Sequence, residues 1–341
     1  MPDANDLVRR IRDDFTLDTS LIERIRDDLQ VINSLEKTID LRPDFGGLLR
    51  PRRYDVSTSS ELETVLRRIK DGDAIRLLNN ITYEVVGGLH IVGMRITFIT
   101  NGYTLEIATV EGGSNDWGDG TVGCGLLVAG GHTDGQPAAV LLDDSRGGAL
   151  NVTAACGYSG IFALNGADVT VTNVTGRVME YHRDRAFGVD AVASSKVTVK
   201  GNVYGVYCGG IYCESFSEVN VLGDVQADYL GVYCNSAKVS IKGCVYAQAG
   251  VYSSNSQYQS MCDDAKVTVD GDIITPDVIT LDGTIGVGAA AESFGAQMIV
   301  GGDVTAGLGA YAATSGIVTI NGKVNAPFRE YNLGGEININ E

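Results

Sequence analysis

From Gly160 to Val324 apolar and polar positions alternate in short runs, and the alternation returns seven times. The copies read GIFALNGADVTV, GVDAVASSKVTV, GIYCESFSEVNV, GVYCNSAKVSI, GVYSSNSQYQSMCDDAKVTV, GVGAAAESFGAQMIV and GAYAATSGIVTI. Val-x-Val has the period of two that marks a strand with one buried face. Most copies are followed by Gly-x-aliphatic, as at Gly201–Val203, Gly223–Val225 and Gly243–Val245, which turns the chain and begins a second short strand. The leading glycines fall at 160, 188, 210, 231, 250, 286 and 309, a step of 19 to 36 residues. Such a period signals stacked repeats, and the lack of a helical pattern between copies excludes leucine-rich and tetratricopeptide arrays. Each copy therefore predicts one rung of a parallel β-solenoid. Val197 is expected to stack on Val219, Val239 and Val267 at ~4.8 Å per rung, with Val199, Val221 and Ile241 in one inner column.

Upstream the pattern changes. Val8, Ile11, Phe15, Ile22, Ile25, Leu29, Ile32 and Ile39 follow a 3-4 spacing, and Ile11-Arg-Asp-Asp-Phe15 recurs as Ile25-Arg-Asp-Asp-Leu29. This predicts an N-terminal helical, coiled-coil segment over 1–41, with isoleucine at both core positions favouring a trimer or tetramer. The alternative is two short helices broken at 16–20 and folded on the same chain. Pro43, Gly46, Gly47 and Pro51 mark a linker over 42–57, with Arg50, Arg52 and Arg53 placed to meet carboxylates. The solenoid domain is assigned to 58–341. It opens with a capping helix over 60–70, begun by a capping box at Ser60-Glu-Leu-Glu63. Strands are expected at 74–78, 84–86, 90–92, 96–100, 104–107 and 125–129.

The helix, then Gly72-Asp-Ala-Ile-Arg-Leu77, then Asn80-Ile-Thr-Tyr83 resembles the opening of right-handed parallel β-helices of the pectate-lyase-like superfamily. The resemblance covers about residues 56 to 340 and implies an all-β, right-handed parallel β-helix whose N-terminal end is covered by an amphipathic helix. That superfamily contains lyases, hydrolases, phage tailspikes and adhesins, so the fold carries no single function.

Composition narrows the partners. Glycine makes up 44 of 341 residues, and the formal net charge of −17 argues against nucleic acid. No run reaches 18 apolar residues, so no membrane span is expected. The N-terminus has no signal-peptide pattern and Glu341 follows no anchoring tail, which favours a protein made in the cytoplasm. Seven cysteines is an odd number without a Cys-x-x-Cys pair. Cys213 and Cys234 share one slot with Ala163, Ala191, Ser253, Ala289 and Ala312, which predicts buried free thiols acting as small hydrophobes.

Candidate chemistry lies on the outer wall. The second residue after each leading glycine is Phe162, Asp190, Tyr212, Tyr233, Tyr252, Gly288 and Tyr311, a tyrosine ladder with rings ~5 Å apart. Tyr204 and Tyr246, with Gln226 between them, form a second outward row, and Tyr207 lies beside Tyr212. Trp117 sits on a glycine-rich loop. Exposed aromatic rows suit sugar rings; stacked tyrosines also stabilise a sheet or a subunit contact. Glu180, His182, Arg183, Asp184 and Arg185 form the densest ionisable cluster, with residue types a glycosidase or lyase needs. Turn insertions carry the same types as solvated loops. No cofactor is implied, although Asp116, Asp119 and Asp134 have the oxygen ligands of a Ca²⁺ site; no other metal pattern occurs.

Three functions fit. The layout of stalk, capping helix and solenoid resembles a phage tailspike or tail fibre, a homotrimer on a virion binding a host surface polysaccharide or receptor. A cell-surface β-helix adhesin has similar repeats. An enzyme cleaving polysaccharide would use the same body.

Overall fold

Val197 pairs with Val219, Val219 with Val239 and Val239 with Val267, each in parallel register on the next repeat. The computed structural model describes residues 51–111, 123–131, 136–155, 157–178, 186–255, 265–275 and 286–341. Segment 1–41 and most of the linker lie outside them, as do Trp117, the 180–185 cluster and Asp116, Asp119 and Asp134.

Two parallel sheets contain the described strands, one of 12 strands and one of 18. A typical repeat gives one strand to the first, such as Lys196–Val199, and two to the second, Val203–Val206 and Gly209–Glu214. In the next two repeats the pair fuses into single bent strands, Val225–Asn235 and Val245–Ser254. Every rung thus repeats the one before it, an arrangement consistent with a β-solenoid.

Alternation decides which side chains go inside. In Lys196–Val199 the two valines are fully buried while Lys196 is exposed, and the same holds for Val219 and Val221 and for Val239 and Ile241. Val199, Val221 and Ile241 stand one above the next. The second sheet supplies facing columns, among them Val203–Val225–Val245–Ile273–Val304 and Ile211–Val232–Val251. A parallel sheet gives each column ~4.8 Å per step, so branched side chains fill it without gaps.

Helix α1 spans Ser59–Leu66, shorter than the expected 60–70, and its N-cap lies two residues earlier than the Ser60 of the sequence pattern. Thr58 is the N-cap and its Oγ1 accepts from the Glu61 N–H at 3.2 Å, while Glu61 accepts from the Ser57 N–H at 2.7 Å. Two Thr/Ser-x-x-Glu registers overlap here, and the earlier one lets Leu62 and Val65 bury in the main core. In the linker, Arg53 lies 3.8 Å from Asp55, and the Arg52 N–H donates to Asp73 Oδ1.

One repeat is out of register with the sequence reading. Val251 pairs with Ala289 and Tyr252 with Ala290, so the leading glycine of that rung is Gly288, not Gly286. The small inner slot then belongs to Ala291 and the outward position to Ala290, replacing Ala289 and Gly288. The reason is steric. A Cβ on Gly250 would lie 2.0 Å from the Gly288 carbonyl oxygen, because this class of glycine sits where the rungs' backbones touch.

The described cysteines behave as small core residues. Cys213 and Cys234 are in register and buried, Cys124 and Cys208 are buried, Cys244 is half-buried, and none of the five forms a disulfide among the described residues. Burial, chiefly, pushes the Cys208 and Cys234 thiols up to about 12 and raises that of Cys213 as well.

Candidate functional site

The tyrosine column stands on the outer face of the 18-stranded sheet. Phe162 pairs with Asp190, Asp190 with Tyr212, Tyr212 with Tyr233, Tyr233 with Tyr252, Tyr252 with Ala290, and Ala290 with Tyr311. The three central tyrosines project outward because Ile211, Val232 and Val251 before them, and Cys213, Cys234 and Ser253 after them, face the core.

The rings of Tyr212 and Tyr233 are stacked, with centroids 5.4 Å apart and planes 12° from parallel. Phe187 lies 5.2 Å from the Tyr212 ring at 41°. Farther along, Tyr311 and Tyr331 stack at 6.0 Å and 13°. Rings stacked on their neighbours turn their faces toward one another, so edges and hydroxyls form the surface offered to solvent. At Tyr212 and Tyr233 the ladder therefore presents ring edges and hydroxyls and differs from the row of open ring faces that the residue spacing suggests.

A second column runs two residues downstream on the same face. Glu214 pairs with Asn235, Asn235 with Ser254, and Ser254 with Glu292. The Tyr212 hydroxyl donates to Glu214 Oε2 at 2.6 Å. Burial raises the Tyr212 phenol first, then the Glu214 hydrogen bond and the Glu214 and Asp190 charges. Burial also leads the upward shifts of Tyr233, Tyr252 and Tyr311, each with Glu292 among the charges that reinforce it.

Tyr204, Gln226 and Tyr246 do stack in register, Tyr204 on its own strand and the other two at the start of the fused strands that carry Tyr233 and Tyr252. The Tyr204 hydroxyl accepts from Asn202 Nδ2 at 2.9 Å, and a hydrogen bond with the Cys244 side chain leads the rise of the Tyr246 phenol. Tyr207 occupies a left-handed corner at φ 58°, is 59% exposed, and donates its N–H to Asp228 Oδ2. The structure thus divides the candidate tyrosines into a central ladder, a second row and a corner. His90, a strand position without an assigned role, has Nε2 at 2.9 Å from the Gly87 carbonyl.

Sequence reading missed Phe187 and the Glu214–Asn235–Ser254–Glu292 column. A signal for the latter is present: with Gly288 as leader, Gly288-Ala-Ala-Ala-Glu292 aligns with Gly210-Ile-Tyr-Cys-Glu214 position for position. Phe187 has no such mark, since its role depends on Tyr212 in the rung above. Among the described residues no group of three or more His, Cys, Asp or Glu is placed to hold a metal ion, and no helix is long and apolar enough to cross a membrane.

The chain matches no family model, no curated protein and no solved structure. What defines it is a stack of parallel rungs with a regular aromatic and acidic outer wall.

Proposed function

We propose that this protein is a right-handed parallel β-helix of the pectate-lyase-like kind, built as the body of a phage tail spike or fibre that binds a surface glycan. The observation that carries the reading is the Tyr212–Tyr233–Tyr252 column with its parallel row of acceptors. Its hydroxyl, carboxylate and amide groups recur at the pitch of a rigid sheet and suit the hydroxyls of an extended sugar chain. Helix α1 would cover the open end of the core, and the heptad-patterned segment 1–41 would join three chains on the virion.

Two experiments test it. Binding to a glycan array is compared for the protein and for Tyr212→Ala, Tyr233→Ala and Tyr252→Ala combined. Loss of every hit in the triple variant is expected, and identical binding by both proteins removes the ladder from the function. Sedimentation of the whole chain against one starting at Arg53 should give a trimer and a monomer; a monomer in both cases would reject the stalk.

A further inference from the structure

The lysines favour one sheet. Of its eight lysines, Lys196, Lys200, Lys238, Lys242 and Lys266 lie on or beside strands of the 12-stranded sheet. There Lys200 meets Asp144 and Lys242 meets Asp270, both at 2.6 Å. The tyrosine wall belongs to the other sheet and carries Asp190, Glu214 and Glu292 among its outward positions.

We infer that the tyrosine wall takes glycans bearing free amino groups and discriminates against acidic ones. This deepens the glycan-binding reading and rests on it. An ammonium group has three donors and no acceptor, and every group on the wall can accept: the carboxylates only accept, while the phenols, the Asn235 amide and the Ser254 hydroxyl accept as well as donate. Charge-assisted bonds to carboxylate are about twice as strong as neutral ones. A uronate or sialate would instead bring its charge against three carboxylates.

Spacing argues for an oligomer. Glu214 and Glu292 are separated by three rungs, about 14 Å at the pitch of a parallel sheet. A single sugar cannot reach both, whereas a chain lying along the column can place one amine at each. The Tyr233 phenol lies within the influence of both carboxylates, which reinforce the upward shift that burial begins. The two carboxylates therefore act on one continuous surface.

The test is titration of the full chain with a fully deacetylated glucosamine oligosaccharide, its N-acetylated counterpart, polygalacturonate and oligolysine, in mildly acid buffer at low and high salt. The amine oligomer is expected to bind roughly tenfold tighter than the acetylated one, as two partly exposed charge pairs allow. High salt and the Glu214→Gln/Glu292→Gln double variant should each erase that advantage. The double variant changes no volume, and an unaltered melting curve shows that it folds. Equal or tighter binding of the acetylated or the acidic polymer overturns the inference while glycan binding stands. Oligolysine binding as tight as the amine oligomer overturns it as well, since the wall would then recognise charge without sugar. Failure of all three saccharides to bind removes the inference and the glycan reading together.

Discussion

Asp224 Oδ1 accepts the backbone N–H of Cys244, one rung above it, at 2.8 Å. The contact is one step of a ladder. Asn173 Oδ1 takes the Asn202 N–H, Asn202 Oδ1 the Asp224 N–H, Asp272 Oδ1 the Asp303 N–H, and Asp303 Oδ1 the Lys323 N–H, all at 2.7–2.9 Å. Each donor belongs to the residue after a Gly-x-Val glycine, where the chain turns between sheets and its N–H has left the ladder of strand bonds. The side chain of the rung below replaces the missing partner and fixes the register of the turn.

Removing one step should cost stability in proportion to the orphaned N–H. Asp224→Ala is expected to lose about 1–3 kcal/mol, while Asp224→Asn, which keeps the acceptor, loses much less. Denaturant unfolding of the two variants decides the point; equal losses would mean that charge matters here and the acceptor does not.

Cys244 is the weak step, since its sulfur is the acceptor for the Asp272 N–H at 3.3 Å. An amide oxygen accepts more strongly than a thiol sulfur. Cys244→Asn should therefore raise the melting temperature, with a gain of about 0.5–1 kcal/mol. A lower melting temperature would show that the Cys244–Tyr246 contact outweighs the ladder at this rung.

The glycines of the motif serve this same ladder. A Cβ on Gly223 would stand 2.2 Å from Asn202 Oδ1 and 2.6 Å from the Gly201 carbonyl oxygen. The second contact is backbone and cannot swing away. Gly223→Ala is expected to cost about 1–3 kcal/mol, as crowding of a packed site does. Wild-type stability in that variant would contradict the close approach.

How far the sequence reveals the fold follows from what kind of contact each feature needs. Val197, Val219 and Val239 align from the sequence alone because period-2 alternation and a glycine landmark recur together. The same cue is ambiguous at Gly286 and Gly288: two glycines two residues apart preserve the alternation, and only the approach of Gly250 to the next backbone separates them. Helix α1 began early because Thr58 and Ser60 both satisfy the capping pattern, and burial of Leu62 chose between them. The tyrosine column was readable as a column; that its rings stack on each other, leaving edges outward, depends on χ angles and on Phe187 in a neighbouring strand. Glu292 was hidden behind the register error.

The core columns predict how damage spreads. Ile241 is fully buried between Val221 and Val269. Ile241→Ala should cost about 2–5 kcal/mol. In a stacked fold each rung contacts its neighbours alone, so lost protection should concentrate in the adjoining rungs. Hydrogen exchange should show faster exchange in 219–221 and 267–269 and little change in 75–77. Uniform acceleration across the chain would mean that the whole stack unfolds as one unit.

Alkaline pH should destabilise the fold through the buried thiols and phenols. Cys208 and Cys234 rise from 9.0 to about 12, chiefly by burial, and Tyr233 and Tyr252 rise above 10.0 for the same leading reason. All four groups are neutral when protonated, and the folded state holds the proton more tightly than the unfolded one. Their contribution is therefore complete below pH 9.0 and is lost as pH climbs from there through about 12. Cys234 can be isolated from the rest, because alanine already fills the equivalent slot at Ala191 and Ala291. Cys234→Ala should cost about 1 kcal/mol or less near neutrality. Above pH 9.0 its stability should fall less steeply than that of the parent chain. Parallel curves for the two proteins across that range would show that the Cys234 thiol does not titrate on unfolding, and would place the alkaline loss on the remaining raised groups, Cys208 and the tyrosines among them.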